Sequence, residues 1–182
     1  MDLFEAISKR YCHKAAFAQE TVADEDLRRI AEAGMAAPSG TNSESPEFIL
    51  INDVGVLAEI GRITRHRPLI TAPAMIAVVS NQADVLPGVT FYVEDYAAAT
   101  ENILLAAIAL GFACGWIDHL LRTPEINDPL CRLLGIPSDR KLMVIIPIGK
   151  PSEEAARRAK KTFEQRCSWN QYAIQRSSAQ GE

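Results

Sequence analysis

The chain has 182 residues, 48% of them hydrophobic and 23% charged, and 19 Lys+Arg stand against 23 Asp+Glu for a net charge of -4. That length suits one compact domain over residues 1–182, burying roughly 70% of the surface the unfolded chain exposes, and the apolar fraction is too high for a disordered chain. The acidic balance excludes a protein that coats nucleic acid, because phosphate neutralisation needs a basic face.

Leu3 to Arg10 reads as a short helix, with Leu3, Ile7 and Phe4 turned inward at helical spacing. Its flanks lack the apolar core of a signal peptide. Asp24 to Ala37 reads as a stronger helix: acids crowd its first turn, and Leu27, Ile30, Ala31 and Met35 repeat at three and four. Pro38 ends it, and Pro38 to Pro46 forms a polar, turn-rich loop. Glu47 to Asn52 reads as a strand, with Asp53 placed to cap the helix that follows.

Ala74 to Ser80 is a continuous apolar run that suits a buried strand. Val93 to Leu110 reads as a long helix, apolar or Ala on nearly every face and stopped by Gly111. Such a helix belongs in the core or in a subunit interface. The most apolar run, Ile103 to Ile117, is shorter than the about 20 residues a bilayer span needs. Ala113 to Ile117 and Leu142 to Ile148 read as strands, and Thr123-Pro124 opens a helix to Leu134. From 150 to 182 the chain is a polar arm, with Phe163 and Trp169 as expected anchors and RSSAQGE as a disordered end. The pattern predicts a mixed α+β fold with a sheet of four or five strands packed by helices.

Cys12, Cys114, Cys131 and Cys167 lie far apart without a CxxC pair, which fits reduced thiols in a cytoplasmic protein. There is no GxGxxG, Walker, HExxH or GxSxG motif, and His13, His66 and His119 are too scattered for a metal site. Three segments remain. Arg10-Tyr11-Cys12-His13-Lys14 clusters cations just past a helix, Pro38-Ser39-Gly40-Thr41-Asn42 offers hydroxyls and amides, and Arg157, Arg158, Lys160, Lys161 and Arg166 form a basic stretch. Taken alone, the first is more often a solvated surface, the second is equally a turn, and the third is equally a solvated tail or an anion-binding arm.

In order, these segments resemble the FMN-dependent nitroreductase family. The family's basic RxSxK/R segment is matched by Arg10 to Lys14, with Cys12 in place of Ser. Its APSxxNxQPW-like loop is matched by Ala37 to Pro46, with Glu44-Ser45-Pro46 in place of Gln-Pro-Trp. Its Asp-led, Ala-rich helix with a Trp-containing turn is matched from Asp95 to Trp116, and an Ile-Gly-x-Pro turn by Ile148-Gly149-Lys150-Pro151.

The resemblance implies a mostly antiparallel sheet packed by helices, in an intertwined homodimer with FMN at the interface. It implies that Arg10, Tyr11, Cys12 and Lys14 contact the FMN phosphate, ribityl chain or pyrimidine edge. Pro38, Ser39, Gly40 and Asn42 would approach from the partner subunit, and Cys114, Gly115 and Trp116 would line the other face. Arg158 and Lys160, with Lys161 as alternate, match the phosphate-binding cations. No acid–base residue is implied, since the flavin carries the chemistry. The activity implied is hydride transfer from NADH or NADPH to a small-molecule acceptor such as a nitroaromatic or quinone. Alternatives are dehalogenation or dehydrogenation on the same fold, or a non-catalytic FMN sensor or carrier. No nucleic-acid or membrane partner is expected.

The charge distribution agrees with an anionic cofactor. Residues 1–14 hold three cations and two acids, residues 157–182 six and two, and the 142 residues between ten and 19. Two basic ends flank an acidic body.

Overall fold

The computed structural model describes residues 1–153 and 159–174. The expectations for Arg157, Arg158 and the RSSAQGE end lie outside the described residues. The elements are α1 (Leu3–Lys9), α2 (Asp24–Met35), β1 (Pro46–Ile51), α3 (Val54–Thr64), α4 (Arg67–Thr71), β2 (Ala74–Asn81), α5 (Tyr92–Ala109), β3 (Ala113–Cys114), α6 (Pro124–Leu133) and β4 (Arg140–Gly149). Single 3-10 turns cover Gly40–Asn42 and His119–Arg122.

The sheet has the order β1-β2-β4-β3, and every pairing is antiparallel. The continuous apolar runs of β2 and β4 follow from burial on both faces. Alternate residues point to opposite sides. Ala74, Ile76 and Val78 join Val144, Ile146 and Ile148 under α2 and α5, with Leu27, Ile30, Ile103 and Leu104. Met75, Ala77 and Val79 join Ile145 and Leu142 on the other face, with Ile60 of α3, Leu69 of α4 and Leu130 of α6. The result is the mixed α+β architecture that the sequence pattern predicts.

α5 is the central helix of the first layer, burying Ala99, Ile103, Leu104, Ala107 and Ile108. It ends in a Schellman turn: Phe112 N–H bonds Ala107 O at 2.9 Å and Gly111 N–H bonds Ile108 O at 2.9 Å. Gly111 takes φ +79°, which turns the chain directly into β3. α2 packs on α5 through Gly34, where a Cβ would sit 2.8 Å from Ile103 Cδ1. Asp53 caps α3 as expected, accepting from Val56 N–H at 2.9 Å.

Several expectations need correction. Leu3, Phe4 and Ile7 are 62%, 82% and 50% exposed, because α1 buries only Ala6. Met35 also faces outward. Phe163 and Trp169 anchor nothing in the core; both are exposed and meet each other at 6.1 Å between ring centroids. The strand expected over Ala113–Ile117 shortens to two residues, with a separate bridge from Ile117 to Ile145. α4 was not expected: its five residues are too few to show a helical period. Among the described residues, no helix is long and apolar enough to cross a membrane.

The α2–α5 contact sets a test. Replacing Gly34 with Leu forces a side chain into the space of Ile103 and Phe48. The expected loss is about 1–3 kcal/mol, read as a lower urea midpoint with unchanged slope.

Candidate functional site

The first half of the site forms where the chain leaves α1. Arg10 closes that helix through its N–H to Ala6 O at 2.9 Å, and the backbone then extends. Cys12 pairs in parallel with Cys114, and His13 N–H donates to Cys114 O at 2.8 Å. Gly115 permits this approach, since a Cβ there would lie 3.0 Å from the His13 carbonyl oxygen. Arg10, Tyr11, Cys12 and Lys14 are thus brought beside Cys114, Gly115 and Trp116. His13 is the buried pin of the segment: its Nε2 faces Ala16 O at 2.9 Å and its ring meets Phe17 at 4.7 Å.

Side chains sort themselves on this frame. Cys12 and Lys14 are exposed, and no carboxylate lies within 4.0 Å of Lys14 among the described residues. Arg10 pairs with Glu101 of α5 at 3.0 Å. Cys114 is fully buried; burial pushes its thiol well above the ordinary range, and the thiol donates to Leu104 O at 3.7 Å. A thiol held protonated in the core is no nucleophile. Trp116 is half-buried and packs on Tyr96, whose phenol is pushed up mainly by burial.

The second half is the loop before β1. Asp95, 2% exposed in the first turn of α5, accepts from Gly40 N–H at 2.7 Å, Ser43 Oγ at 3.1 Å and Ser45 Oγ at 2.7 Å. A carboxylate there also meets the positive end of the helix dipole. These bonds hold a costly backbone: Thr41, Asn42 and Glu44 take φ of 54°, 57° and 49°. Each non-glycine residue in this region costs roughly 1–2 kcal/mol. Glu44 N–H donates to Ser39 Oγ at 2.9 Å, and Asn42 Nδ2 donates to Glu44 Oε1 at 3.2 Å. A Cβ on Gly40 would overlap the Phe91 ring, so only glycine fits. Pro38, Ser39 and Glu44 line an apolar cavity of about 370 Å³ with Phe48 and Ala99.

One chain does not join the two halves. Asp95 and Glu101, which hold them, are six residues apart on α5, hence roughly 120° apart around the helix. Pro38, Ser39, Gly40 and Asn42 therefore sit on a different face from Arg10 and Lys14. Lys160 and Lys161 are exposed, with no carboxylate within 4.0 Å among the described residues. The sequence reading missed the roles of Ser45 and Glu101 and took Asp95 only as the start of a motif. Ser45 stands where the family pattern has Pro, and its burial beside Asp95 gives the departure a physical reason: it supplies a donor.

Asp95→Ala strands three donors, Ser45 among them buried. The expected cost is about 2–4 kcal/mol in urea unfolding, with faster amide exchange confined to residues 39–45 at low denaturant.

The family model described as the nitroreductase family matches residues 7–84 and 63–150. A protein of Archaeoglobus fulgidus, provisionally named an NADH dehydrogenase/NAD(P)H nitroreductase, is 32% identical over 76% of this chain and 79% of its own. An iodotyrosine deiodinase of Haliscomenobacter hydrossis is 25% identical over 76% of this chain and 75% of its own. A nitroreductase of Bacteroides fragilis, solved with bound FMN, superposes with a TM-score of 0.74 at 23% identity, covering 96% of this chain and all of that one. The chain belongs to the nitroreductase family of oxidoreductases.

Proposed function

We propose that the protein is an FMN-dependent oxidoreductase that oxidises NADH or NADPH and reduces a small-molecule acceptor such as a nitroaromatic or a quinone. The observation that carries this reading is the pairing of Cys12 with Cys114, which sets a cation-bearing strand beside a glycine-narrowed edge. FMN, when bound, supplies the hydride chemistry, and none of the named side chains is positioned to replace it.

The residues present fit such a group. A phosphate monoester carries about -1.5 to -2 at neutral pH and is held by several cations or amides. Arg10, Lys14, Lys160 and Lys161, with Arg158 outside the described residues, supply that charge. Cys12 contributes its backbone, since a thiol is a weak hydrogen-bond partner. Tyr11 and Trp116 flank the strand pair, and Cys114 and Gly115 offer main chain. Exposed Asn42, its amide nitrogen turned to Glu44, offers its oxygen as an acceptor, with Pro38, Ser39 and Gly40 in the same loop.

The two halves meet in a homodimer, the loop of one chain reaching the strand pair of the other. The exposure of Leu3, Phe4, Ile7, Leu50 and Val54 supports a partner-covered surface. Exposed Phe163 and Trp169 add to the apolar surface that such a partner would cover.

A second reading, reductive dehalogenation, is favoured by the relative named iodotyrosine deiodinase. Turnover of NAD(P)H with a nitroaromatic, a quinone and a halophenol separates the two.

Purified protein should show flavin absorbance that bleaches on anaerobic addition of NADH or NADPH. Colourless protein that takes up no FMN contradicts the proposal, and bound FMN that neither donor bleaches points to a carrier. Arg10→Ala or Lys160→Ala should each weaken FMN retention by about tenfold, the loss of one charged hydrogen bond. Unchanged retention in both would remove these residues from the site.

A further inference from the structure

Resting on the FMN reading above, we propose that Glu101 is a positioning residue whose carboxylate sets the Arg10 guanidinium to receive a phosphate monoester. Glu101 Oε1 lies 3.0 Å from Arg10 Nε, and Arg10 Nη1 reaches toward Cys12 Sγ at 3.9 Å. Nε thus faces that carboxylate and Nη1 that thiol, both on the protein side. The third nitrogen, Nη2, makes no hydrogen bond among the described residues. The backbone of Arg10 is tied as well, by its N–H to Ala6 O. A long side chain is therefore fixed at both ends before any ligand arrives.

That order has a consequence for affinity. An arginine that closes on an anion from free solution gives up its rotamer freedom at binding. Here the freedom is given up on folding, and Nη2 of the planar fork stays available to an anion. The pair has little other purpose: its side chains are 21% and 44% exposed, and pairs so exposed add little to stability. The neighbouring Lys9 is engaged by Glu5 at 2.6 Å, so Glu101 holds Arg10 and not the whole basic segment.

The opposing effect is repulsion between Glu101 and the phosphate. The carboxylate is nearly half in water, where a charge acting from beyond the guanidinium is screened. The guanidinium makes the nearer, charge-assisted contact, so ordering outweighs repulsion.

The test compares FMN with riboflavin, which lacks the phosphate. Flavin is stripped from the full-length wild type, Glu101→Gln, Arg10→Ala and the double variant, and the quenching of added flavin fluorescence gives each affinity. Glu101→Gln should weaken FMN about fivefold and leave riboflavin unchanged, and adding it to Arg10→Ala should cost nothing more. Unchanged or tighter FMN binding by Glu101→Gln overturns the role. Equal losses for FMN and riboflavin overturn it too, since they indicate a structural effect. A wild type that binds FMN no better than riboflavin brings down the phosphate reading itself, and the role of Glu101 with it.

Discussion

Three hydrogen bonds to the buried carboxylate of Asp95 hold the loop of residues 39–45 in place. Without them, three left-handed non-glycine residues would relax to ordinary turn geometry. The anchor sits in α5, itself pinned between α2 and the sheet by Ile103 and Leu104. The loop thus takes its rigidity from the most buried helix of the fold. Strain in the loop and order in the core are parts of one arrangement.

The same helix holds the other half of the candidate site, through Glu101 to Arg10 and through the Leu104 carbonyl to Cys114. α5 is therefore a spacer as well as a core element. Its 3.6-residue period keeps the polar loop and the basic strand on separate faces. In the proposed dimer this separation is resolved by a second copy, whose loop comes to the first copy's strand. The outward apolar side chains of α1 and β1 gain a covering surface at the same time.

Much of the frame was legible in the sequence. The apolar runs of β2 and β4, the capping Asp53, the stop at Gly111 and the burial of Leu27, Ile30 and Ala31 all follow from local pattern and appear in the structure. The errors share a cause. Leu3, Phe4, Ile7, Met35, Phe163 and Trp169 are apolar, and a rule that turns apolar residues inward cannot tell a core position from an apolar side chain left on the surface.

The site divides in the same way. Contiguous motifs such as Arg10 to Lys14 stand out in the sequence as charge patterns. The contacts of Asp95 with Ser45 and of Glu101 with Arg10 join residues 50 and 91 positions apart, and no local pattern announces them. In sequence, Glu44 and Ser45 are only departures from the Gln-Pro of the family pattern. Folded, one supplies a donor to Asp95 and the other orients Asn42.

Sharing of the flavin site between two chains is tested most directly by complementation. Chains carrying Arg10→Ala with Lys14→Ala are co-expressed with chains carrying Asp95→Asn, and FMN bound per chain is measured. Shared sites predict that each variant alone holds little FMN, and that random mixing restores about one site in four, the single intact site of each mixed dimer. No recovery on mixing, with mixed dimers shown to form, would contradict a site built from two chains.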